Sequence, residues 1–520
     1  MFGKKKKLTS FLDDIPRGDP SRYLHEQSVP LARWQTPKDI QKSDKLEYSL
    51  QNPGKKILLG AMGDKLVGIE DNRHILTVAG SRSGKSVSII GNLLFYKGSV
   101  LATDPKGELA NITALRRQEL GQKVYILDPF KTASDKLTKF RKAFNPMSVL
   151  TADNPTMIED AGLISDALVV AAGKDPHWDE SAKQFIEGLL LHVSTAPEHE
   201  SERNLVTVRK LIKDAMKVAD DVETDEDDEP PYALEEAMLE NAELLSEHPD
   251  TQDIADAILG ASNDFFERED KERSSVLSTV RRHTKFLDYT AMRSVLTGHD
   301  FDLTSLKSDP NGISVYLCLP ASRMSVCSRW FRLFVNQLLV AMEQVKSEPS
   351  APVLVCLDEF PVLGYMKQLE DAAGQIASFH VKLWIVLQDW GQGKALYKER
   401  WETFAGNAGI LQFFGNNDLI TTEYISKRLG KTPVKATKDS EVAQKQQESG
   451  NTGKSDSLEL YDLMTPEEIS RFFARSDKLK RQLIILPGYH PFILQRIEYY
   501  DETSQIYRYL ARHSDVAIAT

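Results

Sequence analysis

The fold is decided by residues 74–94, which read HILTVAGSRSGKSVSIIGNLL. The first run, His74-Ile-Leu-Thr-Val78, is mostly apolar and lies between turn-forming residues, with Asp and Asn before it and Gly after it, which predicts a short buried strand. Residues from Ser86 to Leu94 are also mostly apolar and predict a helix. A strand, a loop of small residues and a helix, in this order, form the context that a phosphate-binding loop requires.

The loop itself, Ala79-Gly-Ser-Arg-Ser-Gly-Lys-Ser86, has the residue types that phosphate binding needs. Small residues let backbone N–H groups converge on phosphates, and the following helix points its positive end at them. Lys85 would neutralise charge on the β- and γ-phosphates, and the Ser86 hydroxyl would bind Mg²⁺. Ala79 replaces the first Gly of the usual motif, which is tolerable if its φ is negative. We therefore predict that a nucleotide binds to Gly80, Ser81, Arg82, Ser83, Gly84, Lys85, Ser86 and Val87.

A second motif lies at Val353-Leu-Val-Cys-Leu-Asp-Glu359. An apolar run that ends in two acids fits a central strand whose tip carries both carboxylates. Asp358 would hold Mg²⁺, directly or through water, and Glu359 would polarise the attacking water as a general base. An ordinary strand followed by a solvated acidic turn is the alternative, and the phosphate-binding loop argues against it. The pair of acids predicts hydrolysis rather than nucleotide storage alone.

Two further strand ends carry polar residues. The run Lys382-Leu-Trp-Ile-Val-Leu-Gln388 puts Gln388 at a strand tip, where it would orient water or sense the γ-phosphate. An ordinary turn residue is the alternative. Asp104-Pro-Lys-Gly-Glu-Leu109 follows the predicted strand 99–103 and reads either as a turn with a helix start or as part of the ligand crevice of the sheet.

Predicted strands and helices alternate along the chain, both before and after a long segment in which strands are missing from the pattern. This alternation predicts an α/β fold with a mainly parallel sheet covered on both faces. Between residues 155 and 290 strand signals almost vanish, and helical periodicity replaces them. The acidic run 220–229 within it predicts a solvated loop. The predicted organisation is an arm (1–50), a first nucleotide-binding part (51–154), an all-α domain (155–290), a second nucleotide-binding part (291–510) with a flexible loop (435–457), and a tail (511–520).

Composition excludes several classes of protein. The chain has 520 residues, 41% of them hydrophobic, and a net charge of −11, so it is neither disordered throughout nor a single small domain. Its 3 cysteines form no C-x-x-C pair, which argues against a disulfide framework and a zinc site and indicates a reducing compartment. No run reaches the roughly 18–20 apolar residues of a membrane span. The Lys4–Lys7 cluster suits either a solvated end or contact with anionic lipid or nucleic acid.

Together, the segments Ala79–Ser86, Asp104–Leu109 and Leu357-Asp-Glu-Phe-Pro-Val-Leu-Gly364 resemble the TraG/TraD-type coupling proteins of type IV secretion systems. The nucleotide motifs are shared with all P-loop ATPases, whereas the Asp104–Leu109 and Leu357–Gly364 elements are much more family-specific. The similarity runs from about residue 30 to residue 500. Further matching stretches are Ala32–Ile40, Trp178–Ala182, Leu411–Gly415 and Ile425–Gly430.

The resemblance implies a RecA-like P-loop ATPase domain interrupted by an all-α domain. It implies a homo-oligomeric ring, typically a hexamer, that uses ATP and Mg²⁺ to move DNA, expected to be single-stranded, or nucleoprotein to a type IV secretion channel. Residues 155–290 would then meet the substrate and the relaxosome or effector proteins. The expected location is the cytoplasm, with peripheral association at the inner membrane as an option. An Arg from a neighbouring subunit would complete each ATP site.

Two departures from the family leave alternatives open. Family members usually begin with transmembrane helices, so this chain is either a soluble branch or depends on a partner subunit for membrane contact. Residues 369–381 contain no Arg, and the unranked candidates for the trans-acting residue are Arg281, Arg282, Arg323 and Arg428. A nucleotide-switched adaptor that recruits protein effectors without pumping DNA is the second functional hypothesis. A pump of the FtsK/HerA kind is disfavoured by the helical insertion and by the Asp104–Leu109 element.

Overall fold

The computed structural model describes residues 32–170, 177–218, 231–439 and 454–516. The chain divides into two compact units. The first contains residues up to Lys97, Leu354–Pro361 and everything from Lys382 onwards, and the second contains Gly98–Val353 and Val362–Val381. Lys4–Lys7, most of the predicted arm and the acidic run 220–229 lie outside the described residues.

Apart from β10 and β11, the strands are short and most of their residues are buried. They are β1 (Ile57–Met62), β2 (Lys65–Ile69), β3 (His74–Ala79), β4 (Val100–Asp104), β5 (Lys123–Leu127), β6 (Ile313–Cys318), β7 (Val353–Leu357), β8 (Val381–Leu387), β9 (Ala408–Phe414), β10 (Lys431–Asp439), β11 (Lys454–Asp462), β12 (Arg481–Ile485) and β13 (Phe492–Gln495).

The helices range from 4 to 24 residues. They are α1 (Pro37–Lys42), α2 (Lys85–Leu93), α3 (Glu108–Glu119), α4 (Met157–Leu168), α5 (His177–Thr195), α6 (Leu205–Asp214), α7 (Ala233–Ser246), α8 (Gln252–Phe266), α9 (Asp270–Thr284), α10 (Thr290–Leu296), α11 (Ser305–Ser308), α12 (Ala321–Gln344), α13 (Lys367–Ala372), α14 (Trp390–Tyr397), α15 (Trp401–Gly406), α16 (Leu419–Leu429), α17 (Pro466–Phe472) and α18 (Gln505–His513).

The first unit is built around β3. Its strands follow the order β2-β1-β13-β12-β9-β3-β8-β7. All six residues of β3 are buried, as expected for a central strand flanked on both sides. It runs parallel to β8 and β9, with Val78 opposite both Leu387 and Phe413. The carboxyl ends of these three strands therefore meet at one edge of the sheet. Strand β12 pairs antiparallel with β9, and β13 pairs antiparallel with β12.

A buried row of polar side chains crosses this sheet. Trp384 Nε1 donates to Thr77 Oγ1 over 2.9 Å, and Thr77 Oγ1 donates to Gln412 Oε1 over 2.7 Å. Gln412 Nε2 then donates to Gln482 Oε1, and Gln482 Nε2 donates to the Leu59 carbonyl over 2.6 Å. Because an unpaired buried polar group costs about 1–3 kcal/mol, this row disfavours any slip in strand register.

The second unit combines strands β4, β5 and β6 with most of the helices. Strand β6 lies between β4 and β5 and is parallel to both. The described residues between 155 and 290 form helices α4–α9 and no named strand. An isolated bridge joins Val218 and Tyr232. This division groups β4–β6 with the helices, so it does not coincide with the boundaries predicted at 154 and 290. Those boundaries stay a prediction.

Within the helices, the Trp178–Ala182 stretch has a clear packing role. Asp179, near the start of α5, is buried and its carboxylate lies 3.2 Å from His283 Nε2 and 3.5 Å from an Arg282 nitrogen, both on α9. Burial, followed by the nearby Arg329 charge, lowers the pKa of His283 to about 4. The imidazole is therefore neutral at pH 7, and its bond to Asp179 ties α5 to α9.

The segment 435–457 differs from the prediction of a flexible loop at both ends. Strands β10 and β11 pair antiparallel from Lys431 opposite Asp462 to Asp439 opposite Lys454. The middle of the segment, 440–453, lies outside the described residues. At the other end of the chain, α18 continues to His513, beyond the predicted start of the tail at residue 511. Among the helices described, none combines the length and the apolar content needed to cross a membrane.

Candidate nucleotide-binding site

The loop after β3 has the conformation expected of a phosphate-binding loop. Ala79 is the last residue of β3, and it is not among the residues with positive φ, so the missing first Gly causes no strain. Arg82 and Gly84 adopt φ values of 56° and 92°, and α2 begins at Lys85. Left-handed residues alternating with right-handed ones turn successive N–H groups toward one side, which suits an anion.

Glycine at position 80 is required by a neighbouring strand. A Cβ on Gly80 would lie 2.1 Å from the carbonyl oxygen of Gly415, which follows β9. Gly415 has φ of 65°, and a Cβ there would lie 2.6 Å from the Ser83 side chain. The loop is closed internally, because Ser83 Oγ donates to the Gly80 carbonyl over 2.5 Å. Close packing of the two turns thus holds the loop in shape from the β9 side.

The two acids after β7 lie next to this loop. Ser86 Oγ donates to Asp358 Oδ2 over 3.3 Å, although 272 residues separate them in the chain. Lys85, half-buried at the start of α2, directs its Nζ to within 3.2 Å of the Ala79 carbonyl. The hydroxyl and the carboxylate therefore share one small region, as the predicted Mg²⁺ site requires. Hard oxygen ligands of this kind are the ones Mg²⁺ prefers.

Glu359 and Gln388 form a second pair at the same edge. Gln388 Nε2 lies 3.5 Å and 3.4 Å from the two carboxylate oxygens of Glu359. The Glu359 backbone has φ of 63°, a region that non-glycine residues rarely adopt and that costs about 1–3 kcal/mol. Strain of this kind concentrates where a side chain must be aimed. The backbone N–H of Gln388 is itself held by Gln392 Oε1 over 2.9 Å, at the start of α14.

Arg496, just after β13, contacts the loop at Ser83, which the sequence motifs did not predict. Its guanidinium donates to the Ser83 carbonyl and lies over the Phe414 ring, 4.3 Å from the centroid. A Cβ at Gly84 would lie 3.2 Å from the same guanidinium. Burial lowers the pKa of Arg496 from its ordinary high value, and an Arg side chain keeps its charge regardless. This cation therefore supports the loop from beneath Ser83.

Replacing Arg496 with Met is expected to weaken nucleotide binding about tenfold, because a charge-assisted hydrogen bond is worth about 1.5–3 kcal/mol. Met keeps much of the apolar contact with Phe414 and removes the donor and the charge. Equilibrium titration with a fluorescent nucleotide measures the effect. Arg508→Met, at an exposed position on α18, is the matched control. Equal affinity in the Arg496 variant and the wild type would contradict a role for this contact in shaping the loop.

The candidates for a trans-acting Arg are spread over the chain. Arg281 donates to the Lys213 carbonyl over 3.0 Å, and Arg282 contacts Asp179, so both serve the helices around them. Arg323, near the start of α12, and Arg428, near the end of α16, are exposed.

The Asp104–Leu109 element has a local structural role. Asp104 is buried, and its carboxylate accepts the N–H of Ala110 over 2.8 Å, which caps the first turn of α3. Gly107 has φ of 66°, and a Cβ there would lie 2.9 Å from the Thr132 carbonyl. Lys106 is exposed. The turn with a helix start is thus present, and a contact with ligand stays a prediction.

The chain matches a known protein family along nearly its whole length. Residues 36–519 match the family described as Type IV secretory system Conjugative DNA transfer. The conjugal transfer protein TraG of Escherichia coli is 25% identical over 445 residues, which cover 80% of this chain and 65% of that protein. The coupling protein VirD4 of Bartonella henselae is 25% identical, over 82% of this chain and 63% of its own length. The chain thus spans just under two thirds of these relatives.

Solved structures show the same fold. The bacterial conjugative coupling protein TrwB, in a form named TrwBdeltaN70, is 14% identical with a TM-score of 0.60, covering 91% of this chain and 96% of its own. A structure of TrwB in complex with ADP and Mg²⁺ has a TM-score of 0.59 at 14% identity, covering 92% and 95%. At this identity the likeness establishes the fold, and it confirms the predicted α/β, RecA-like class.

Proposed function

The chain belongs to the type IV secretory system conjugative DNA transfer family, and from this premise we propose that it is an ATP-driven coupling protein. In this proposal the chain hydrolyses ATP to recruit its cargo and to drive it toward a secretion channel. The cargo is DNA, moved as a single strand, or a nucleoprotein. Two relatives support this proposal. One is named conjugal transfer protein TraG, and the other is named type IV secretion system-coupling protein VirD4.

One observation carries the enzymatic part of the proposal. The Ser86 hydroxyl lies 3.3 Å from the Asp358 carboxylate, and the next residue, Glu359, is held in an unusual backbone conformation beside Gln388. Ordinary packing gives no reason for a strained acid at the end of a buried strand. A base that must be aimed at a water molecule does give one.

We assign the nucleotide to the loop from Gly80 to Val87 and Mg²⁺ to Ser86 and Asp358. The oxygen pair fits this cation, because ligands at about 2.0–2.1 Å in octahedral geometry lie about 3 Å from each other. The bound Mg²⁺ would supply charge compensation for the phosphates. Lys85 would add a positive charge against the β- and γ-phosphates, and the N–H groups at the start of α2 would bind phosphate oxygens.

Glu359 and Gln388 would act on water. The Glu359 carboxylate would accept a proton from the attacking water, which makes it the general base. Gln388, whose Nε2 lies 3.4 Å from that carboxylate, would orient the base and a water molecule together. Arg496 would act through the loop, by keeping the Ser83 carbonyl turned away from the anion.

Assembly and partners extend the proposal. We propose a homo-oligomeric ring, a hexamer as in the family resemblance, in which an Arg of a neighbouring subunit completes each site. All four candidates, Arg281, Arg282, Arg323 and Arg428, are exposed, and Arg281 and Arg282 also contact groups of the neighbouring helices. The helices between residues 155 and 290 would contact relaxosome or effector proteins. The ring would work in the cytoplasm at the type IV secretion machinery, through peripheral contact with the inner membrane or through a partner subunit.

The proposal predicts that DNA stimulates ATP hydrolysis severalfold, because a motor that moves DNA couples its hydrolysis cycle to the bound nucleic acid. The assay measures phosphate release by the purified chain with single-stranded DNA, with duplex DNA and without DNA. Native mass measured with and without nucleotide and DNA reports on ring formation. An ATPase rate that is the same with and without DNA would favour the nucleotide-switched adaptor. A complete lack of hydrolysis would contradict the ATPase assignment.

A further inference from the structure

A cluster of potential metal ligands lies in the helical part of the second unit, apart from the nucleotide motifs in sequence. His192 is in the last turn of α5, and the 3₁₀ turn Pro197–His199 follows directly. One ligand atom each from His192, Glu198 and His199 lie within 4.8 Å of one another. His192 Nε2 is 3.8 Å from Glu198 Oε1, and the two imidazole rings are 5.5 Å apart at an angle of 87°.

The orientation of His192 is the observation that points to a ligand. The side chain is fully buried, and its Nε2 has no hydrogen-bond partner among the residues that the structure describes. A buried nitrogen without a partner is costly, by about 1–3 kcal/mol. This nitrogen is the atom that lies 3.8 Å from Glu198 Oε1. A bound ion would satisfy it.

Asn241 on α7 supplies the second half of the argument. Its Nδ2 lies 3.4 Å from His192 Nδ1 and 2.9 Å from Thr195 Oγ1, whereas its Oδ1 has no partner among the described residues. With the amide nitrogen facing the ring, this orientation of Asn241 corresponds to the neutral tautomer that carries its proton on Nε2. A cation on Nε2 moves the proton to Nδ1. Rotation of the Asn241 amide by half a turn then presents Oδ1 to that proton.

Metal binding would therefore satisfy His192 Nε2 through the ion, and the flipped Asn241 Oδ1 would accept the Nδ1 proton, while Nδ2 takes the position that Oδ1 leaves. Metal-binding histidines commonly donate their other ring N–H to a protein oxygen of this kind. The amide flip places Oδ1 near Thr195, whose hydroxyl now donates to the Leu191 carbonyl over 2.8 Å and can turn to Oδ1 instead.

The turn that carries the other two ligands is well held. Ala196 N–H donates to the His192 carbonyl over 2.8 Å, and His199 N–H donates to the Ala196 carbonyl over 3.2 Å. Pro197 begins the 3₁₀ turn. The backbone therefore presents Glu198 and His199 to His192 without further folding. Glu198 is exposed and His199 half-buried, so an ion at this point has access to solvent.

We propose that His192 Nε2, Glu198 and His199 bind one divalent transition-metal ion, with Zn²⁺ as the best match. Two imidazoles and a carboxylate suit Zn²⁺ and disfavour Mg²⁺ or Ca²⁺, which take oxygen ligands. Tetrahedral binding with bonds of about 2.0–2.2 Å places the ligand atoms about 3.3 Å apart, which small side-chain rotations achieve. The fourth position is open to water. The ion would tie the end of α5 to the following turn and, through Asn241, to α7.

The test uses the full chain, freed of metal with a chelator and titrated with Zn²⁺ by calorimetry without nucleotide and with Mg²⁺ in excess. We expect one high-affinity Zn²⁺ per chain, a rise in the thermal unfolding midpoint on binding, and no displacement by Mg²⁺. His199→Ala and Glu198→Gln should lose this binding. Both positions are outside the core, so these variants keep the fold. His248→Ala, at an exposed histidine in the same unit, is the matched control and should bind like the wild type.

The Asn241→Leu variant keeps the three proposed metal ligands and removes the side chain that contacts His192 Nδ1. Loss of an outer-shell partner typically weakens metal affinity about 10–100-fold, and we expect a weakening in that range here. The far-ultraviolet circular dichroism of each metal-free variant checks that the fold is intact. An absence of stoichiometric binding in the wild type, or equal binding by His199→Ala, would overturn the proposal.

Discussion

Replacing Lys85 with Ala is expected to lower ATP turnover about 10²–10³-fold or more while leaving the fold intact, since the loss of one preorganised charge-stabilising group has an effect of that size. Lys85 is the first residue of α2, and its ammonium group lies 3.2 Å from the Ala79 carbonyl, directly above the loop. Removing it leaves phosphate charge uncompensated as the leaving group develops. No neighbouring residue of the loop other than Arg82 carries a positive charge.

The fold should survive because Ala is the best helix former and the Lys85 side chain is only half-buried. Steady-state phosphate release measures turnover, and thermal unfolding reports on stability. Lys55→Ala, at an exposed lysine of the same unit, should leave both unchanged. Turnover by the Lys85 variant at more than about a tenth of the wild-type rate would remove Lys85 from the phosphate site, since that ratio corresponds to only about 1.4 kcal/mol.

Replacing Glu359 with Gln is expected to preserve ATP binding and slow hydrolysis about 10²–10⁴-fold, the contribution typical of a general base. Gln has the same shape and keeps an oxygen that accepts the Gln388 Nε2 contact, so the geometry changes little. The amide, however, cannot take a proton from water. The ligands assigned to Mg²⁺, Ser86 and Asp358, are untouched by this change.

Single-turnover hydrolysis and equilibrium nucleotide titration separate the two effects. A slow chemical step with wild-type affinity is the expected pattern, and it differs from that of the Arg496 variant, in which affinity falls. Glu399→Gln, at an exposed position after α14, controls for the loss of one negative charge. If the Glu359 variant hydrolysed ATP at close to the wild-type rate, another group would have to be the base.

The parts of the site that are contiguous in the chain were predictable. The loop from Ala79 to Ser86 lies between an apolar strand and a helix, and each neighbour in sequence is a neighbour in space. The Asp358–Glu359 pair and Gln388 were each predicted from a single strand and its tip. Parallel strands put their carboxyl ends at one edge, so this reasoning extends to the sheet as a whole.

Contacts between distant segments were not predictable in the same way. The Arg496 side chain donates to the Ser83 carbonyl, although 413 residues separate the two in the sequence. A single Arg after a short strand is not part of any motif that would predict this contact. The clash that requires Gly80 comes from Gly415, which follows another strand. The pairing of residues 435–439 with residues 454–458, at the two ends of the predicted loop 435–457, was not predictable either, because cross-strand pairing overrides weak local preference.

The sequence by itself determined the α/β class, the family and the identity of the phosphate-binding loop, because strand and helix periodicity and the loop residues act over short distances along the chain. Only the tertiary structure decided that Ser86 meets Asp358, that Gln388 meets Glu359, and that His192, Glu198 and His199 converge with Asn241. The physical reason is that strand order and helix packing set these distances. They depend on which apolar surfaces bury each other, and no short stretch of residues encodes that choice.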